Sequence, residues 1–126
     1  MILSMPDRDR PIRYSPCLQI GLTTTGRKSS RPHQVTLYAW PDDHHLVVVG
    51  SYAGRDHDPD WVSNLRSKPE VMVRRGGNEV EHSAREVEGP ERDRLWALVT
   101  REFPLYETYQ LKTKRVIPLF ILEPTA

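Results

Sequence analysis

The sequence has only one cysteine among its 126 residues, Cys17, and it has no long apolar segment. A single cysteine cannot form an intrachain disulfide, and a thiol within an apolar stretch is typical of a small buried side chain. The first ten residues contain neither a long apolar run nor a small-residue cleavage site. This pattern predicts neither export nor association with a membrane, and we expect a cytoplasmic protein.

The sequence also lacks an excess of charge of either sign, because 18 Lys and Arg balance 17 Asp and Glu to a formal net charge of +1. Affinity for a polyphosphate requires many uncompensated cations, so no nucleic-acid partner is predicted. The histidines at 44, 45 and 57 lie beside aspartates in turn-like sequence, where imidazoles are usually solvated, so no metal site is predicted either. Any anion must therefore be bound by a local cluster of cations.

The composition is that of one compact domain, with 37% hydrophobic and 28% charged residues. We assign residues 1–16 to an N-terminal arm and residues 17–126 to a single domain. Six segments have the composition of β-strands, at 18–24, 34–40, 44–51, 71–75, 78–86 and 115–124. The central part of 44–51 is continuously apolar, which indicates a strand buried on both faces.

Turns and helices separate these strands. The sequence GGN at 76–78 predicts a tight hairpin, whereas Pro118 inside the last strand indicates an edge position or a bulge. Asp58 is a candidate N-cap for a first helix that ends near Lys68, and amphipathic patterns predict further helices at 91–102 and 105–113. We therefore expect an α+β, mostly β fold: a six-stranded, mostly antiparallel barrel with inserted helices.

Three segments carry residues suited to binding or chemistry. In the first, LTTTGRKSSRPH at 22–33, a predicted turn brings together backbone N–H groups, hydroxyls and the cations of Arg27 and Lys28. These are the components of a binding nest for phosphate or carboxylate. The spacing of glycine and lysine is not that of a Walker loop. A solvated basic hairpin is the alternative interpretation of the same residues.

The second segment, VVVGSYAGRDHDPDWVSNL, begins in a buried strand that ends in Gly50 and Ser51. Small residues at a strand end allow a flat ligand to lie close to the backbone, and the N-terminus of the following helix favours an anion. The alternative is purely structural, with Trp61 and Leu65 in the core and Asp58 as a cap.

The third segment places Phe103, Tyr106 and Tyr109 at helical spacing. Such a cluster is usually packing, but the two hydroxyls lie in a polar segment and are candidates to face a cavity. No serine lies in a nucleophile elbow and no carboxylate pair is marked by its surroundings, so hydrolytic chemistry is not predicted.

The order of these segments, completed by the run FPLYETYQLKTKRVIPLFILEP, resembles that of the deazaflavin (F420)-dependent nitroreductase family over residues 18–124. The members of this family are split β-barrel flavin and deazaflavin oxidoreductases. The resemblance implies an FMN-binding-like split barrel, often a homodimer, that binds coenzyme F420, a deazaflavin with a phosphate linker and an oligoglutamate tail.

The resemblance also implies roles for individual residues. The positions that match the family's cofactor site are Arg27, Lys28, Ser29, Ser30, His33, Val49, Gly50, Ser51, Trp61 and Asn64. The first three would bind the phosphate and nearby carboxylates, the segment 49–51 would line the deazaflavin ring, and Trp61 with Asn64 would close the phosphate end. Aromatic residues on the substrate side would be Tyr38, Phe103, Tyr106 and Tyr109. Ser51 and the last two tyrosines are the catalytic candidates, as hydrogen-bond donors to the accepting group.

Three positions differ from the family pattern. Ser30 stands at a glycine position, His33 at an arginine position, and Phe103 where nitroreductases often have tyrosine. A positive φ at Ser30 would cost about 1 kcal/mol, and a histidine is only partly charged at neutral pH. Both changes imply weaker binding of the tail, or a different flavin.

The resulting prediction is an F420-dependent oxidoreductase. It would transfer a hydride from the reduced deazaflavin to an electron-poor small molecule such as an enone, a quinone or a nitro compound. Two alternatives stay open: an FMN-dependent reductase with the same fold, and a non-catalytic protein that binds a flavin or a tetrapyrrole.

Overall fold

The structure is a computed structural model that describes residues 17–125, so the predicted arm at 1–16 lies outside the described residues. Its strands are β1 (Leu18–Thr25), β2 (Pro32–Asp42), β3 (His45–Val49), β4 (Glu70–Arg75), β5 (Asn78–Glu86) and β6 (Leu119–Pro124). Its α-helices are α1 (Asp60–Ser67), α2 (Gly89–Glu102) and α3 (Leu105–Leu111), and a 3₁₀ turn spans Tyr52–Gly54.

The six strands close into an antiparallel barrel in the order β1-β2-β3-β6-β5-β4. The longest pairing joins β1 and β2, from Leu18 opposite Ala39 to Thr25 opposite Pro32. The predicted hairpin is confirmed, because Arg75 pairs with Asn78 across the two glycines between β4 and β5. The predicted fold class, a mostly β split barrel with inserted helices, is therefore confirmed.

Strand β3 contributes to two separate hydrophobic clusters, which explains its continuous apolar sequence. Leu46 and Val48 pack inside the barrel, whereas Val47 and Val49 point to the opposite face, under the helices. Successive side chains of a strand point to opposite faces, so a strand with a core on each side must be apolar at every position. The prediction of burial on both faces is confirmed.

The barrel interior is covered by α1. Trp61, Val62 and Leu65 of this helix join the interior cluster, and the Trp61 ring lies edge-on to Phe120 with a centroid distance of 6.1 Å. Each such side chain stabilises the fold by about 1.5–3 kcal/mol through removal of apolar surface from water. This packing fixes the position of α1 against the β1 strand that it contacts.

The outer face of β3 and β6 is covered by α2 and α3. Leu95 and Val99 are fully buried in this second cluster and Trp96 and Leu98 are partly buried, so the amphipathic stripe predicted for α2 is present. Cys17, expected to be buried, is half-buried at the edge of this cluster. Burial and the nearby Glu102 carboxylate raise the pKa of its thiol.

Two local predictions were wrong. The first helix begins at Asp60, and the residue before it is Pro59, whose extended backbone (φ −65°, ψ 155°) separates Asp58 from the helix. Asp58 does not cap that helix, because its carboxylate instead accepts hydrogen bonds from Arg66 and Arg115. Pro118 does not interrupt β6, which starts one residue later. Its carbonyl accepts a hydrogen bond of 2.8 Å from the Gly50 N–H.

Among residues 17–125, no helix combines the length and the apolar composition needed to cross a membrane.

Candidate functional site

The turn between β1 and β2 is closed by its own backbone. The Gly26 N–H donates to the Arg31 carbonyl at 2.8 Å, and the Ser30 N–H donates to the Gly26 carbonyl at 2.9 Å. Ser30 adopts φ +61°, the left-handed conformation considered at this position from the sequence, and it carries the associated cost of about 1 kcal/mol. A Cβ at Gly26 would lie 2.5 Å from Ser29 Oγ and 2.6 Å from His33 Nε2, so any other residue there would displace these two side chains.

Two polar side chains of this turn bind each other. Ser29 Oγ lies 3.1 Å from His33 Nε2, and it also accepts a hydrogen bond of 3.1 Å from the Arg31 N–H. Both contacts fix the Ser29 hydroxyl next to the turn backbone. His33 occupies the position at which the family pattern has arginine. In this structure its imidazole contacts Ser29.

The Arg27 side chain is held by Asn64 of α1. Asn64 Oδ1 accepts hydrogen bonds from the Arg27 N–H at 3.1 Å and from Nη1 at 3.0 Å. Asn64 Nδ2 in turn donates to Thr24 Oγ1 at 3.1 Å, and the residue is only 4% exposed. A buried amide that is satisfied on both sides has one stable orientation, so it fixes the guanidinium relative to the barrel.

These residues surround a cavity of about 560 Å³ between the β1–β2 turn and α1. Six residues predicted for cofactor binding line it: Arg27, Lys28, Ser29, His33, Trp61 and Asn64. Lys28 is exposed and forms no hydrogen bond or ion pair with the described residues, so its ammonium group is available to a ligand. The cavity is also lined by four residues that the sequence did not single out for binding: Thr24, Gln34, Val35 and Asp60. Thr24 could have been identified from the sequence, because side chains along a strand such as β1 alternate between its two faces.

The predicted ring-lining residues do not line this cavity. Val49 is buried in the second cluster, and Gly50 packs so closely that an added Cβ would lie 2.8 Å from both Pro118 Cγ and Val62 Cγ2. The small residue at the strand end is therefore required by the protein's own packing. Ser51, the next residue, is half-buried.

Arg115 holds this strand end in place, a role that sequence reasoning missed. Its guanidinium donates to the carbonyls of Gly50 at 3.1 Å, Ser51 at 2.7 Å and Arg55 at 2.9 Å. It also donates to Asp58 Oδ1 at 2.8 Å, and its side chain is 14% exposed. No periodic pattern marks such a residue, because its partners, three backbone carbonyls and one carboxylate, lie 57 to 65 positions away in the sequence.

The predicted aromatic residues form a cluster beside Val49. The Phe103 and Tyr106 ring centroids are 4.7 Å apart, and those of Tyr106 and Tyr109 are 6.4 Å apart. Tyr38 is 58% exposed on β2, outside the packed cluster. Val49 at the strand end and this aromatic segment thus belong to one packed cluster.

Tyr106 is the buried member of this cluster, with 6% exposure. Burial raises its pKa to about 12, because a phenolate would lose its hydration, while the neighbouring Trp40 indole opposes the shift in part. The Trp40 Nε1 atom has no hydrogen-bond partner among residues 17–125. At neutral pH the Tyr106 hydroxyl is therefore a hydrogen-bond donor and not a base.

Within the described part of the chain, no group of three or more His, Cys, Asp and Glu side chains is arranged to bind a metal ion.

Fold and site together define a split-barrel protein with a cationic cavity at the mouth of the barrel. A model of the F420H(2)-dependent quinone reductase family matches residues 10–124, and the chain belongs to this family. An F420H(2)-dependent quinone reductase of Mycobacterium tuberculosis (strain H37Rv) is 33% identical over 104 residues, which cover 80% of this chain and 70% of that protein. The resemblance to F420-dependent reductases inferred from the sequence is thereby confirmed.

Solved structures give the same result. An F420-H2 dependent reductase, FDR-A, is 37% identical with a TM-score of 0.75, covering 86% of this chain and 94% of that one. A second structure, described as a domain-swapped dimer, is also 37% identical with a TM-score of 0.76, covering 86% of this chain and 80% of that one.

Proposed function

We propose that this protein is an F420-dependent oxidoreductase that reduces quinones. The observation that carries the proposal is the cavity lined by Arg27, Lys28 and Asn64, in a chain of the F420H(2)-dependent quinone reductase family. A phosphate linker and a carboxylate tail need cations at one edge of a cavity, and Arg27, oriented by Asn64, and the exposed Lys28 provide them.

The residues present fit the anionic end of F420. Arg27, fixed by Asn64, and Lys28 would hold the phosphate and the tail carboxylates, and Trp61 forms an apolar wall of the same cavity. When bound, reduced F420 supplies the hydride, and the protein supplies binding, orientation and exclusion of water. The strand end at 49–51, clamped by Arg115, would place the ring next to the aromatic cluster.

The hydroxyl groups near the strand end have a proposed role toward the acceptor. Tyr106 keeps its proton at neutral pH and can donate a hydrogen bond to a quinone oxygen as negative charge develops there. Tyr109 and Ser51 are further donors at the rim of the same region. Tyr38 and Phe103 would contact the substrate through their rings.

The cofactor assignment is tested by titration of the purified protein with oxidised and reduced F420, monitored by deazaflavin fluorescence, and in parallel with FMN. We expect saturable binding of F420, with FMN much weaker. Binding of FMN and no binding of F420 at tens of micromolar would overturn the assignment in favour of an FMN reductase. Turnover assays with a naphthoquinone, a nitroaromatic compound and an enone then rank the acceptors. Binding without turnover of any acceptor would indicate a carrier protein.

Lys28→Ala should weaken F420 binding by about 1 kcal/mol, roughly five-fold, because an exposed charge-assisted contact is lost. Arg75→Ala is the matched control, since it removes one exposed cation at the other end of the barrel, where Arg75 lines a different cavity. Equal affinities of the Lys28 variant and the wild type would exclude Lys28 from the site.

We also propose a homodimer, supported by the domain-swapped dimer described for a 37% identical structure. Light scattering coupled to size exclusion measures the mass directly, and a monomer of 14.6 kDa would contradict it.

A further inference from the structure

Among the described residues that line the cationic cavity, one carries a carboxylate: Asp60, the first residue of α1. Its Oδ1 lies 3.5 Å from Arg27 Nη2, and its backbone carbonyl oxygen lies 3.5 Å from Arg27 Nη1. The Asp60 side chain is 91% exposed, so this contact contributes little to the stability of the fold. An acidic group inside a site for anions nevertheless changes which anions the site accepts.

The donors of Arg27 are divided between two partners. The backbone N–H and Nη1 are bound to the buried Asn64, and Nη1 also lies near the Asp60 carbonyl oxygen. Nη2 faces the Asp60 carboxylate. A ligand oxygen that binds Nη2 must therefore lie beside the Asp60 carboxylate. Arg27 and Lys28 bring two positive charges to the cavity, and the Asp60 carboxylate reduces their sum to about +1.

We propose that Asp60 matches the charge of this cavity to a phosphodiester and reduces its affinity for terminal phosphomonoesters. A phosphodiester carries one negative charge, whereas a phosphomonoester carries about −1.5 to −2 at neutral pH. Coulomb repulsion from Asp60 scales with the ligand charge and is up to twice as large for the monoester. The proposal rests on the proposed function, because F420 is linked through a phosphodiester, whereas FMN ends in a phosphomonoester.

Asp60 also lies in the first turn of a helix, where a carboxylate stabilises the helix dipole. If Asp60 only stabilised the helix, its substitution would change the affinities for both classes of phosphate ester by the same factor. The ratio of the two affinities is therefore the quantity that identifies a role in charge selection.

The probes are methyl phosphate and dimethyl phosphate, titrated at one pH and ionic strength against ¹⁵N-labelled protein. Chemical shifts of the turn amides give the dissociation constants. For Asp60→Asn we expect methyl phosphate to bind about four-fold tighter and dimethyl phosphate about two-fold tighter. Asp93→Asn is the matched control, because it removes one carboxylate on α2, outside the described cavity, and should change neither constant.

The change in the ratio of the two dissociation constants is the result that identifies repulsion by Asp60. An equal change for both esters, or no change for either, would overturn the proposal. Absence of shifts with both esters in every variant would overturn it as well, because the cavity would then not bind phosphate.

The same variants separate this inference from the proposed function. If the wild type fails to bind F420 but the ester ratio shifts as expected, the function is wrong and the charge selection stands. If F420 binds and the ratio does not shift, the function stands and the role of Asp60 is wrong.

Discussion

The cationic cavity and the aromatic cluster are built by opposite means, although α1 and the end of β3 place them on neighbouring parts of the barrel. In the cavity, a polar network orients exposed groups, with the buried Asn64 between Thr24 and Arg27. In the aromatic cluster, packing orients the rings, and the buried Trp40 Nε1 has no hydrogen-bond partner among the described residues. Polar networks position charge without much burial, whereas packing positions rings through buried apolar contact.

This difference predicts which property each region controls. Exposed charges in the cavity contribute little to stability, so their substitution should change affinity and leave unfolding almost unchanged. Side chains of the aromatic cluster are part of the core, so their substitution should change stability as well as activity. Three variants measure how far the stability depends on the strand end, the aromatic cluster and the β1–β2 turn.

The largest effect is expected at Arg115, which holds the end of β3 in place. Arg115→Ala removes the donor for the carbonyls of Gly50 and Ser51 and leaves Asp58 with Arg66 alone. We expect a loss of about 3 kcal/mol in the free energy of unfolding, because partly buried acceptors lose a charged partner. Urea unfolding followed by circular dichroism measures this loss.

Arg115→Lys serves as the control for charge, because an ammonium group keeps the cation but cannot bind four acceptors in the fixed geometry of a guanidinium. Its stability should fall between those of the wild type and the alanine variant. An alanine variant as stable as the wild type would show that the strand end needs no clamp.

The second largest effect is expected in the aromatic cluster, where Tyr106 makes the stability depend on pH. Because its pKa is raised to about 12 from 10.0, the folded protein keeps the phenol proton at pH values where the unfolded chain releases it. The free energy of unfolding should therefore fall as pH rises from about 10 to 12, by about 2 kcal/mol in total. Tyr106→Phe lacks this group.

The difference in stability between wild type and Tyr106→Phe, measured by urea unfolding, should be constant from pH 7 to about 9 and shift in favour of the phenylalanine variant above that range. A difference that stays constant up to pH 11 would contradict the burial of the hydroxyl.

The smallest effect is expected at Ser30, in the turn beside the cavity. Ser30→Gly should raise the free energy of unfolding by about 0.5–1 kcal/mol, because glycine removes the strain of φ +61°. The larger conformational entropy of glycine in the unfolded chain offsets part of this gain. Asp43→Gly is the matched control at φ +60°, where aspartate tolerates the left-handed conformation better and the gain should be smaller. A destabilised Ser30→Gly would mean that the serine itself is needed in the turn.

The barrel was largely predictable from the sequence, because its strands alternate or run continuously apolar according to the layers that cover them. Continuous burial of β3, the glycine hairpin and the stripe of α2 each follow from local pattern. The errors at Asp58 and Pro118 arose where a local rule competes with distant partners, an arginine 57 positions away in one case and the Gly50 N–H in the other.

The residue types of the site could be predicted from the sequence, but the contacts between these residues could not. The residue types of the β1–β2 turn indicated an anion nest, and the resemblance to F420-dependent reductases added Trp61 and Asn64. Neither indicated that Asn64 would orient Arg27, that His33 would bind Ser29, or that Asp60 would line the same cavity. These contacts depend on how α1 crosses the barrel mouth, and no sequence period encodes that geometry.

The hydrogen bonds of Asn64 have a further consequence for the kinetics of ligand capture. Arg27 is held in its binding position before any ligand arrives, so little of its side-chain entropy remains to be lost on binding, and it should act mainly on the dissociation rate. Lys28 has no partner among the described residues, and its exposed ammonium group attracts anions over about a Debye length. One cation of the pair would thus retain the ligand while its sequence neighbour accelerates the encounter.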